Sequence, residues 1–182
     1  MTPSTAPVLV LCTGNATRSV IAGAALAARL PQVPVVTAGT LVIEGLVPSP
    51  RTRTALAAVG LEAAGHRSHQ AGGADLVVAD LIIGLAPEHV EWVRREHPTA
   101  APRTATLKRL CRDLVAGPTP LTGRIAALGL EAVELASWEE VADPGGGETD
   151  AFVRCAHEIV HLVDRLARSL GQQSSGTPPD AA

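Results

Sequence analysis

The sequence predicts a single α/β domain, a four-stranded parallel sheet flanked by helices. Short β-branched runs alternate with Ala- and Leu-rich stretches, the order that lays helices across a mostly parallel sheet. Val8 to Leu11 is apolar without alternation, as befits a central strand buried on both faces, and a polar turn then leads into an Ala-rich helix over about Ser19 to Leu30. At 182 residues the chain suits one domain with a core large enough to need no metal or disulfide staples.

The remaining elements follow in order. Val33 to Thr37 is predicted as the second strand, and Pro50 to Gly60 as a helix with proline at its start and glycine just past its end. Asp80 to Leu85 is the third strand and Pro87 to His97 a helix. A short fourth strand near Thr104 to Thr106 precedes helical Leu107 to Ala116, which Gly117-Pro118 stops. Leu121 to Ala136 reads as a further helix. Phe152, Ala156, Ile159, Val163, Leu166 and Leu170 mark one apolar stripe on a long final helix that should pack on the sheet. The domain spans 8–170; residues 1–7 and the tail 171–182, polar and rich in Pro, Gly and Ser, are expected to be disordered.

Composition narrows the function. A net charge of −3, with 15 basic and 18 acidic residues interspersed, offers no broad footprint for nucleic acid or an anionic membrane. Apolar runs fall far short of the roughly 20 residues a bilayer-spanning helix needs. The first residues do not read as a signal peptide, which predicts a cytoplasmic protein. Cys12, Cys111 and Cys155 are too few and too widely spaced for a disulfide framework or a zinc ligand set.

The informative segment is Cys12-Thr13-Gly14-Asn15-Ala16-Thr17-Arg18-Ser19, which joins the first strand to the first helix. Backbone N–H groups there can converge on an anion at the positive end of the helix, a phosphate cradle. A cysteine at its floor sits in a field that favours the thiolate. Arg18 has the planar fork that clamps two phosphoryl oxygens. Gly14 and Asn15 tolerate the positive φ that an inward-facing loop needs. Ser19 can donate its hydroxyl to the sulfur and make it a better leaving group. A buried structural cysteine is the plain alternative for Cys12 alone, but five intervening residues, Arg and Ser at a strand-to-helix junction form a much more specific pattern.

Val10-Leu11-Cys12-Thr13-Gly14-Asn15 followed by Arg18-Ser19 resembles the signature of the low-molecular-weight protein tyrosine phosphatases. Thr37-Ala38-Gly39-Thr40, His66-Arg67-Ser68 and Ala79-Asp80-Leu81-Ile82-Ile83 resemble further segments of that family in the same order. The resemblance implies a phosphatase acting on phosphate monoesters, protein phosphotyrosine or small phosphorylated molecules, through a cysteinyl-phosphate intermediate, with no cofactor and no metal. It also implies that Asp143, of Asp143-Pro144, is the general acid; a proton delivered to the leaving oxygen is what such chemistry needs. Taken alone, Asp-Pro before three glycines is good turn chemistry.

Two departures from the family pattern carry expectations. Thr17 stands where members commonly carry a second cysteine, so disulfide protection of the nucleophile should be absent. Leu41 and Gly145 to Gly147 stand where many place aromatic side chains. With no tyrosine, one phenylalanine and two tryptophans, a ring slot would have to come from Trp92, Trp138 or Phe152, and selectivity for aryl phosphates should be weak.

Rival signals exist. His157-Glu158-Ile159-Val160-His161 matches a zinc-hydrolase motif, with only Asp164 and Asp180 beyond it as third ligands and both histidines off the apolar stripe. A thiol relay from Cys12 through Cys111 or Cys155 would suit an arsenate reductase on the same fold. A non-catalytic phosphate-binding module would keep the cradle and Arg18 yet survive loss of the thiol. Asn15-Ala16-Thr17 formally matches a glycosylation acceptor, but its place in the cradle argues for coincidence.

Overall fold

Strand β1, Val8–Cys12, is buried along its whole length. Because side chains alternate across a strand, Val8, Val10 and Cys12 enter the larger of two apolar clusters and Leu9 and Leu11 the smaller. The computed structural model describes residues 7–171, and the expectations for 1–6 and 172–182 lie outside them. Helix α1, Arg18–Arg29, follows the cradle, and strand β2 is Val35–Gly39. It begins two residues later than the sequence predicts because it pairs in parallel with β1 in the register Val8↔Val35 through Cys12↔Gly39. Pro34, with no N–H to offer a ladder, contributes only its carbonyl, which accepts from Val8 N at 2.9 Å.

Helix α2, Pro50–Ala58, has the expected proline start, and Ser49 Oγ caps it by accepting from Thr52 N. Helix α3, Gly73–Val78, is not anticipated by the sequence. Its Val77-Val78 pair favours a strand, and only Leu76 of its six residues is buried. Strand β3 is Leu81–Gly84, helix α4 Pro87–Glu96 and strand β4 Thr104–Thr106, the last reached through a 3-10 turn at Pro98–Arg103. The sheet is parallel throughout in the order β2-β1-β3-β4, so the carboxyl ends of its strands share one edge, where open α/β sheets bind ligands.

Helix α5 is Leu107–Asp113, and helix α6 is only Leu121–Ala126 where a helix to Ala136 is predicted. Gly129 takes a φ of +58°, which ends the helical path. Arg94 Nη2 then holds the irregular chain by donating to the carbonyls of Leu130 and Val133 at 2.6 and 2.8 Å. The final helix, α7, runs over Thr149–Gly171 and packs on α1, α2 and α5. All six residues of its predicted stripe are buried. Among the described residues no helix is long and apolar enough to cross a membrane.

Candidate active site

The chain leaves β1 at Cys12 and enters α1 at Arg18, so the intervening loop sits on the carboxyl edge of the sheet. Cys12 is buried, with Sγ 3.0 Å from Ser19 Oγ. Asn15, fully buried, takes the left-handed conformation at φ +49° and donates from Nδ2 to Ser19 Oγ at 2.9 Å. The serine hydroxyl thus accepts from the amide and has its own proton left for the sulfur. Gly14, the other residue read as suited to positive φ, does not adopt it: the loop turns on Asn15 alone. Asn15 repays its strained backbone with two further bonds, its Oδ1 accepting from His69 N at 2.9 Å and its carbonyl meeting His66 Nε2 at 3.0 Å.

The outer wall is tied to the start of α2. Thr17 Oγ1 meets Thr52 Oγ1 at 2.9 Å, and Thr52 donates to Ala16 O at 3.2 Å. The inner wall is closed by β2. Thr40 N and Leu41 N donate to Cys12 O and Thr13 O, each at 3.0 Å, and a Cβ on Gly39 would lie 2.4 Å from Thr13 O and 2.9 Å from Asn15 N. Only glycine permits that approach.

Arg18 is 3% exposed, and its guanidinium donates to Val141 O at 3.2 Å and to Asp143 Oδ2 at 2.6 Å. The Asp143 carboxylate therefore reaches the cradle from a segment 125 positions later in the chain. It also forms the turn its sequence suggests, with Oδ1 accepting from Gly145 N at 2.9 Å. Ser19 and, through Arg18, Asp143 thus gather at the loop that Cys12 opens, Asp143 being the residue to which only the family resemblance pointed.

Sequence reasoning missed two residues at this edge. His89, on the buried face of α4, accepts from Ala86 N at Nδ1 (3.0 Å), which places its ring proton on Nε2, 3.1 Å from Thr13 Oγ1. Burial, and then the Arg18 charge, depress its pKa to about 3 against an opposing pull from Asp143, so the ring is neutral. Glu88 accepts from Thr13 Oγ1 at 3.3 Å. The one available signal was a histidine set among Val90 and Val93 on an otherwise apolar helix face.

The zinc-motif residues are engaged elsewhere, whereas Cys155 lies close enough to Cys12, Arg18 and Asp143 for their charges to act on it. His157 and His161 are exposed, Glu158 is held by Lys108 Nζ at 2.8 Å, and Asp164 by Arg29 Nε at 2.8 Å; Asp180 lies outside the described residues. Cys111 donates to Leu162 O, and Cys155 is turned toward Ala142 O at 3.7 Å. Burial is the largest influence on both thiols and pushes them up, to about 11 and about 12. Trp92 packs on the smaller cluster, Phe152 is buried in the larger, and Trp138 lies under the Arg112 guanidinium at 4.3 Å, so each of the three rings has a packing role of its own. Leu41, by contrast, is 77% exposed.

Comparison with known proteins agrees with this geometry. Residues 7–117 match the family model described as low molecular weight phosphotyrosine protein phosphatase. A protein-arginine-phosphatase of Geobacillus stearothermophilus is 30% identical over 164 residues, covering 90% of this chain and 95% of its own. A probable low molecular weight protein-tyrosine-phosphatase of Ralstonia solanacearum is 32% identical over 103 residues, 57% of this chain and 69% of its own. Among solved structures, the arginine phosphatase from Geobacillus stearothermophilus superposes with a TM-score of 0.72 at 30% identity, covering 91% of this chain and 92% of that one. The tyrosine phosphatase Wzb from Escherichia coli K30, in complex with sulphate, shares the fold with a TM-score of 0.73 at 22% identity, covering 92% and 99%. These relatives favour phosphate hydrolysis over arsenate reduction, and the chain belongs to the low molecular weight phosphotyrosine protein phosphatase family and is a phosphatase.

Proposed function

We propose that this phosphatase uses Cys12 as nucleophile, the amides of Thr13 to Ser19 with Arg18 as phosphate clamp, and Asp143 as general acid, and that its preferred substrate is phosphoarginine in proteins. The observation that carries the catalytic assignment is the convergence of Cys12 Sγ, Ser19 Oγ, Arg18 and Asp143 on one edge, joined by contacts of 3.0 and 2.6 Å. In the first step the sulfur attacks phosphorus in line, the S–P bond forms, and the bond to the leaving nitrogen or oxygen breaks as Asp143 transfers a proton to it. Arg18 and the cradle amides hold the equatorial oxygens. In the second step Asp143 takes a proton from water, the oxygen attacks phosphorus, and the sulfur departs with Ser19 donating to it.

Three observations support arginine over tyrosine. The relative that matches nearly the whole chain bears the name protein-arginine-phosphatase. The rings that would sandwich a phenol are engaged elsewhere. Carboxylates of Asp143 and Glu88, 53% and 63% exposed, stand at the cradle, where a guanidino group is welcome. The three free thiols fit a reducing compartment, and we place the enzyme in the cytoplasm.

Matched peptides carrying phosphoarginine or phosphotyrosine, assayed in chelator, test the reading. A higher kcat/KM on phosphoarginine is expected. Cys12→Ser should abolish turnover and Asp143→Ala lower it by about 10²–10⁴. Preference for phosphotyrosine would overturn the substrate assignment, and a fully active Cys12→Ser the mechanism.

A further inference from the structure

Glu88 stands beside the cradle and takes no part in the chemistry above, yet its position is fixed. A directed chain of hydrogen bonds runs to it: Ala86 N–H to His89 Nδ1, His89 Nε2–H to Thr13 Oγ1, and Thr13 O–H to Glu88 Oε1, at 3.0, 3.1 and 3.3 Å. His89 Nε2 also lies 3.5 Å from the same oxygen. Thr13 is the residue next to Cys12, so the carboxylate is anchored one peptide from the nucleophile while its side chain stays 63% exposed. A surface glutamate held in this way is aimed, because the long side chain has lost the freedom that makes most exposed charges ineffective.

Charge counting gives it a purpose. Near the cradle Arg18 supplies one positive charge and Glu88 one negative charge, while His89 is neutral and Asp143, as proton donor of the first step, enters it uncharged. The rim is thus short of positive charge for a substrate that brings only a phosphoryl anion. It is matched to one that brings a cation on the leaving side as well.

We propose that Glu88 is a specificity-determining residue that receives the cationic face of the leaving group and biases the site toward zwitterionic phosphates, of which phosphoarginine is one. The inference deepens the substrate reading above and rests on it. It predicts discrimination by charge, with Thr13 and His89 as the positioning residues that hold the carboxylate in place.

Glu88→Gln and Glu88→Lys, both at an exposed position, test it. For a charge pair a few ångströms apart in a partly solvated site, Glu88→Gln should lower kcat/KM on a phosphoarginine peptide about tenfold. Hydrolysis of p-nitrophenyl phosphate should hold or rise, and Glu88→Lys should move both further in the same directions. An equal fall on both substrates would show that Glu88 only props Thr13, and no change on either would show that it is idle; each overturns the proposal. Competition separates this outcome from failure of the arginine assignment. If the wild type disfavours phosphoarginine, the substrate reading falls alone. Glu88 is still judged by inhibition of p-nitrophenyl phosphate hydrolysis, where Glu88→Gln should raise the inhibition constant of phosphoethanolamine and not that of inorganic phosphate. Equal shifts in the two constants, or none, overturn it.

Discussion

Gly39→Ala is the substitution whose effect the geometry states most directly. The new Cβ would lie 2.4 Å from Thr13 O, 2.4 Å from Val42 Cγ2 and 2.9 Å from Asn15 N. Ordinary contact begins about 1 Å farther out for the first two. Val42 is a half-buried side chain and can rotate aside, but the other two atoms are cradle backbone. Nor can residue 39 retreat, since its N–H donates to His69 O at 2.9 Å and its carbonyl accepts from Ala71 N at 2.8 Å. The strain passes into Thr13 to Asn15, the segment that follows Cys12 and ends on the cradle residue with positive φ. A shift approaching 1 Å there should cut kcat/KM by about 10², and overpacking should cost about 1–3 kcal/mol of stability. Steady-state hydrolysis of p-nitrophenyl phosphate and a urea unfolding curve measure both. Gly117→Ala, where a Cβ meets nothing within 4 Å, is the control. Wild-type turnover in Gly39→Ala would refute the claim that β2 sets the shape of the cradle.

Three further outcomes are expected. Folded His89 stays neutral down to about pH 3, through burial and the Arg18 charge, whereas the unfolded chain takes up that proton near 6.5. The unfolded state binds more protons in between, so stability should decline as pH drops from 6.5 toward 3, and His89→Asn should flatten that slope in thermal melts; an unchanged slope contradicts it. Burial pushes the Glu139 carboxyl up, but bonds from Arg109, Thr106 and Ala136 N outweigh it and hold it below its usual 4.5. Its stabilisation should be present above that value and fade as pH falls below it. Glu139→Ala should cost about 3–5 kcal/mol by stranding Arg109, and an unfolding curve like that of the wild type would deny the buried pair any structural role. Iodoacetamide should label Cys12 before Cys111 or Cys155, whose burial pushes them to about 11 and about 12, and inorganic phosphate should slow only the first reaction. Peptide mapping that finds Cys155 labelled first would contradict the arrangement.

The features read correctly from sequence were those written in local chemistry. Val8 to Leu11 needed no partner to be recognised as a buried strand, and the spacing from Cys12 to Arg18 and Ser19 is set by a single strand-to-helix turn. Elements whose limits depend on distant contacts were misplaced. The start of β2 follows its pairing with β1, α3 is a helix despite Val77 and Val78, and the chain after Ala126 leaves the helical path at Gly129 and is held by Arg94. The same division holds in the site. Asp143 came only from family resemblance, because nothing local distinguishes it from a turn residue. Glu88 and His89 went unread because their roles depend on Thr13, 75 and 76 positions away.

The segment that ends at Asp143 is fastened residue by residue, Glu139 to Arg109 and Thr106 and Glu140 O to Lys108 Nζ at 2.6 Å. Val141 N donates to Leu85 O at 2.8 Å, Val141 O accepts from Arg18, and Cys155 reaches Ala142 O. It also lies beyond residue 117, where the family match stops. Arg18 holds both Val141 O and Asp143 Oδ2, so this arm and the cradle are coupled through one guanidinium. A change in the turn of Pro144 to Gly147 is therefore felt at the Arg18 guanidinium as well as at the Asp143 carboxylate, which Gly145 N steadies at 2.9 Å.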